Sequence, residues 1–209
     1  MDNSTLLTPR TRNADLKFWF MWVVASTASI LLSFVVLYGL IIIAKAISPS
    51  INEDRLFGGI MFPVVATLLG VLQWFVLRRR IPRSGWWILA TIIGLVGGIA
   101  MAEGVVQAFS YITGQEWKWY FQPGTLTVYG LIGFLLALAQ LPILWRHFRG
   151  SILWFLASMI GWLILGLIVG VSIDRTSDVV AFGAIPAVFT GFGLIWLMRT
   201  PRTELDHSP

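Results

Sequence analysis

In this chain of 209 residues the side chains able to do chemistry are few and far apart. There is no cysteine, so no disulfide framework, thiolate nucleophile or Cys-based metal or iron–sulfur site can form. The two histidines, His147 and His207, fall outside the long apolar stretches, which leaves no bis-His haem and no helix-borne His metal site. No His-Glu-x-x-His, Gly-x-Ser-x-Gly or phosphate-loop motif is present. Paired carboxylates inside the apolar blocks are missing too. We therefore expect no enzyme, assign no catalytic or metal-binding residue and infer no cofactor.

What remains is a short list of candidate ligand-binding residues. Glu103 is the one acid inside a hydrophobic block, and Gln107 follows one helical turn later on the same face. Glu103 lies 16 residues after Trp87, about 24 Å along a helix. Two readings stand side by side for it: a site in an outward-facing vestibule, or an interfacial residue satisfied by water. Gln73 and Gln140 each precede an arginine (Arg79, Arg146) by six residues, about 9 Å. An interhelical hydrogen bond is the simpler role for this pair, and a shared cavity open to the cytoplasm is the other. Trp117 and Trp119 flank Lys118 in the segment GQEWKWYFQPG. That pattern suits an amphipathic stretch on an interface, with a ligand lid or partner contact as the second reading.

The elements that must position these residues follow from composition. Apolar residues make up 57% of the chain and charged ones 12%, with a mean hydropathy of +0.80. A soluble domain is nearer half apolar and about a quarter charged. The apolar residues gather into six blocks, approximately Phe18–Ala44, Leu56–Leu77, Trp86–Ile112, Leu126–Trp145, Ile152–Ile173 and Val179–Met198. Each can cross a hydrocarbon core that needs roughly 20 residues. The expected fold is all-α, a polytopic membrane protein of six transmembrane helices. The first block exceeds a signal-peptide core and lacks a small-residue cleavage site.

Charge sets the orientation. Arg10, Arg12, Lys17, Arg78, Arg79, Arg80, Arg83, Arg146, Arg149, Arg199 and Arg202 fall on one side with four acids, net +7. Lys45, Arg55, Lys118 and Arg175 fall on the other with six acids, net −2. Basic residues near helix ends stay in the cytoplasm, so both termini are expected to be cytoplasmic. The overall charge of +5 is then a topology signal and points to no nucleic acid. Residues 1–17 read as a polar arm, 18–199 as one membrane domain and 200–209 as a polar tail.

The membrane domain contains a repeat. Odd-numbered helices share Trp-x-x-Ala-Ser/Thr-x-x-small: Trp22, Ala25, Ser26, Ser29; Trp87, Ala90, Thr91, Gly94; Trp154, Ala157, Ser158, Gly161. These offsets place all four residues on one helical face. In even helices, LLGVLQWFVLRR aligns without gaps on LLALAQLPILWR, matching Gln73 with Gln140. The sixth helix offers a weaker version ending at Arg199. Three helical hairpins follow, about 18–77, 86–145 and 152–198, around a pseudo-threefold axis. Gly94–Gly98 and Gly166–Gly170 add small-xxx-small strips suited to close helix packing in lipid.

The string Gly70-x-x-Gln73-Trp74-x-x-Leu77-Arg78, followed by Trp86-Trp87, resembles a group of small six-helix bacterial membrane proteins associated with cyanobacteria and filamentous phototrophs. That group carries no assigned activity, so the resemblance implies the fold and no site residue. It also implies a bacterial inner (plasma) membrane or a thylakoid membrane. The three two-helix repeats resemble mitochondrial carriers in architecture, yet Pro63, Pro142 and Pro186 lack the acid-then-base signature that follows proline in those carriers. Two functional expectations remain. The favoured one is an accessory or structural subunit, or assembly factor, of a larger membrane complex or homo-oligomer, consistent with 11 Trp. The other is a binder or transporter of a hydrophobic or vitamin-like small molecule near Glu103, similar to the six-helix substrate-binding component of a vitamin importer. A pigment-binding form of this reading lacks the usual helix-borne histidine. Membrane lipids are partners under either.

Overall fold

The computed structural model describes residues 12–50, 52–82, 84–114, 124–171 and 175–199. Six helices follow in order: α1 Arg12–Ile47, α2 Glu53–Leu77, α3 Trp86–Thr113, α4 Gly124–Trp145, α5 Ile152–Val171 and α6 Arg175–Met198. All six are long and apolar enough to cross a membrane. No more than 39% of the apolar window in any of them is buried, so most of the apolar surface faces outward. Val35, Ile42 and Ile160 are examples of exposed aliphatic side chains, as expected where the solvent is lipid rather than water.

The helices close into a ring. Each packs against its neighbours in the chain, α6 returns to α1, and no other pair of helix backbones comes close among the described residues. Glycines set the spacing. A Cβ on Gly94 would lie 2.6 Å from the Leu136 Cα, and one on Gly98 would lie 2.8 Å from the Ile132 Cα. Both contacts bring α3 against the backbone of α4. A Cβ on Gly183 would meet the Thr27 Cα at 2.6 Å, so the α6–α1 closure uses the same device. Without a hydrophobic drive between helices in lipid, such close approach is what supplies dispersion energy.

The chain ends of α1 and α6 meet at the end of the ring that carries the arginine-rich turns. Arg199 donates from Nε and Nη2 to Oδ2 of Asp15, at 3.2 and 2.9 Å. Arg80 Nη2, from the α2–α3 turn, donates to the Ala14 carbonyl at 3.3 Å. These contacts explain why α1 begins at Arg12 rather than at Phe18, where the apolar block starts. The last residues of the arm expected to be polar and outside the fold are helical, and Asp15 is buried in the first turn. An acid there also suits the positive end of the helix dipole. The other five helices agree with the apolar blocks to within a few residues.

Candidate functional site

The centre of the ring is stratified along its axis. At the basic end, Trp22, Trp87 and Trp154 point inward from α1, α3 and α5 and pack edge to face. Their ring centroids are 6.0, 6.0 and 5.4 Å apart. All three are essentially fully buried. Beneath them, Leu77, Leu144, Leu194 and Leu197 fill the same end in one apolar cluster. Edge-to-face geometry matches the negative face of one ring to the positive edge of the next. The ring of helices is therefore plugged at this end.

One turn further along is a polar layer. Gln73 Nε2 donates to Ser26 Oγ at 3.1 Å, and Trp87 Nε1 donates to Gln73 Oε1 at 3.0 Å. Gln73 thus joins α1, α2 and α3. Gln140 Nε2 donates to Thr91 Oγ1 at 3.0 Å, joining α4 to α3. In α6, Thr190 takes the indole proton of Trp22 at 3.1 Å and donates its own to the Pro186 carbonyl at 2.8 Å. Pro186 has no N–H to give the carbonyl four residues before it, while its own carbonyl takes the Thr190 hydroxyl. Trp154 Nε1 and Ser158 Oγ, also buried, have no hydrogen-bond partner among the described residues. A cavity of about 30 Å³ lies among Gln73, Gln140, Trp154, Ser158 and Thr190.

Beyond an apolar girdle that includes Ile30, Leu136 and Trp162, the lumen widens. A cavity of about 490 Å³ is lined by residues of all six helices. Its walls are aromatic and aliphatic, with Phe34, Phe62, Leu95, Ile132, Val169 and Phe182 among them. Tyr129 stacks on Trp162 with centroids 6.3 Å apart, and Phe182 meets both rings edge-on. Among the described residues, only Glu103, Gln107 and Tyr129 bring polar side-chain groups to this wall. Glu103 and Gln107 are exposed and sit together on α3.

The candidate residues therefore divide. Glu103 and Gln107 share the large cavity. Gln73 and Gln140 lie in the buried polar layer, engaged in hydrogen bonds between helices, and border only the small inner cavity. Trp117 and Trp119 lie outside the described residues. No group of three His, Cys, Asp or Glu converges among the described residues. Sequence reasoning missed the meeting of the three tryptophans at the axis, although the repeated Trp and its fixed offset to Ser or Thr carried that signal. It also missed Thr190, because α6 departs from the pattern that marks Gln73 and Gln140. The aromatic lining at Phe34, Phe62 and Phe182 had no signal that set it apart from other membrane-helix residues. No family model, curated protein or solved structure matches this chain.

Proposed function

We propose that the chain is a non-enzymatic multi-pass membrane protein that holds a small, largely apolar molecule in a cup opening on the non-cytoplasmic side. The observation that carries this reading is the cavity of about 490 Å³ walled by six helices. Ligand sites typically measure about 300–1,000 Å³, with apolar walls and a few polar groups. The opposite end is blocked by Trp22, Trp87 and Trp154 and the leucines below them. The lumen is thus a one-ended cup rather than a pore. Three hairpins around a pseudo-threefold axis give the simplest account of equivalent tryptophans meeting at one point. With the arginine-rich turns in the cytoplasm, the cup faces outward from a bacterial inner or thylakoid membrane.

The reading as an accessory subunit of a membrane complex rests on a different surface. An open groove along α6, flanked by α1 and α5, is lined by Trp19, Ile160, Phe189, Phe192 and Trp196. A helix of a partner subunit would fit this groove as well as lipid chains do.

Native mass spectrometry on protein gently extracted from its own membrane separates the two. The cup reading expects a small-molecule adduct that survives removal of detergent and is lost in Ala102→Phe, which fills the cavity wall. A defined polypeptide partner with no such adduct would overturn it in favour of the subunit.

A further inference from the structure

We infer that the cup selects an amphiphile with a compact apolar body and a cationic amine head, the head held at Glu103 and Gln107; the inference rests on the cup reading above and names its ligand class. Three features carry it. First, two of the three polar side chains on the wall sit together, the third being Tyr129 on α4. Glu103 and Gln107 lie one turn apart on α3, whereas the deep wall around Leu95, Ile132 and Phe182 is apolar. A ligand that fits is polar at one end only. Second, Glu103 is the only Asp, Glu, Lys, Arg or His among the described residues that line the cavity. No hydrogen bond or ion pair engages it among the described residues. A carboxylate against low-dielectric walls focuses a negative potential into the cavity. That potential attracts a cation and repels a carboxylate or any other head of net negative charge. Third, Phe34 and Phe62 line the same cavity, and an aromatic ring attracts a cation rather than an anion at short range, so the wall and the acid select in the same direction.

Glu103 accepts from an ammonium N–H, and the Gln107 carboxamide oxygen accepts a second one. The apolar body then packs toward Trp162 and the girdle. Such a head is supplied either by a soluble amine or by the ammonium of a phospholipid.

The test compares 1-adamantylamine, 1-adamantanol and 1-adamantanecarboxylate, three probes with the same body and different heads. Each is titrated calorimetrically into the full chain in nanodiscs of phosphatidylcholine and phosphatidylglycerol at pH 7. The amine is expected to bind at least tenfold more tightly than the carboxylate, with the alcohol between them. Glu103→Gln, nearly isosteric and at an exposed position, is expected to remove that preference while leaving thermal stability unchanged. Gln107→Leu serves as a second variant and weakens the amine alone. Equal or tighter binding of the carboxylate, or an amine affinity unchanged in Glu103→Gln, overturns the head assignment and leaves the cup standing. No binding of any probe, with Ala102→Phe indistinguishable from the unaltered chain, overturns the cup itself. Adding phosphatidylethanolamine to the discs identifies the source. Displacement of the amine assigns the lipid ammonium, and undiminished amine binding assigns a soluble one, each under the same head chemistry.

Discussion

The indole nitrogen of Trp87 donates to Gln73 Oε1 at 3.0 Å, whereas the indole nitrogen of Trp154, its counterpart two helices on, donates to nothing among the described residues. The two rings are equally buried and touch each other, so a Trp→Phe change removes similar packing at each. What differs is one hydrogen bond. In membranes such bonds are worth about 0.6–2 kcal/mol, and an acceptor left unpaired adds to the loss. Trp87→Phe is expected to lower the thermal midpoint more than Trp154→Phe, by a margin equivalent to roughly 1 kcal/mol. Parallel melts of both variants in one lipid would show it. The reverse order would mean that the polar layer contributes nothing.

The glycine spacing makes a sharper prediction. A side chain at Gly94 meets the backbone of Leu136, which cannot move aside, whereas Gly97 has open space around its Cβ direction. Gly94→Val should separate α3 from α4 at a cost of about 1–3 kcal/mol or more. Gly97→Val should be close to neutral, since nothing lies within 4 Å of the new Cβ and valine is no worse a helix former than glycine. Expression and melting of the pair, made in the same background, test this. Equal damage at both positions would show that close approach to α4 is not what sets the cost at Gly94.

How much of this was legible beforehand depends on which residues carried it. Helix number and limits were, because an apolar run of 20 residues has one solution in lipid. Where α1 begins was not: residues 12–17 are mostly polar, and the contact that ties Asp15 to Arg199, 184 residues away, leaves no mark in the sequence. Glu103 and Gln107 were singled out because an acid in an apolar block is rare, and they do share a cavity. The cavity itself was invisible. Phe34, Phe62 and Phe182 read like any lipid-facing phenylalanine until ring closure turns them inward. Gln73 and Gln140 were candidates for a site and for packing alike. What the sequence did not show is the partners they take, Ser26 and Trp87 for Gln73 and Thr91 for Gln140.

The Asp15–Arg199 contact closes the ring at its chain ends, yet Arg199 is 59% exposed. Asp15 is buried, so the pair is exposed on one side only; surface pairs are worth roughly 0.2–1 kcal/mol, and glutamine keeps an N–H donor for the Asp15 carboxylate. Arg199→Gln is therefore expected to shift the thermal midpoint little and to leave the six-helix bundle intact. Gly183→Val, which acts on the same α6–α1 seam through the backbone of Thr27, should cost more. The comparison, read as two melting curves, tells whether charge or packing closes the ring. A larger loss in Arg199→Gln would assign the closure to the ion pair.

Orientation is the last consequence of the charge distribution. The α2–α3 and α4–α5 turns carry Arg78, Arg79, Arg80, Arg146 and Arg149, and the exposed rings of Trp86, Trp145 and Trp196 lie at that same end. Trp at the membrane–water boundary anchors that end, and arginine resists translocation there. The α3 exit at Gly114, by contrast, follows a stretch whose only charge is Glu103. Gly150 is exposed in the α4–α5 turn, outside any helix, where an insertion is tolerated better than in a helix interior. A reporter active only outside the cytoplasm is expected to stay silent when inserted at Gly150 and to give signal at Gly114. The opposite pattern would turn the cup toward the cytoplasm. An amine would then have to reach Glu103 from inside the cell, and the outward-facing reading of the cavity would fall with it.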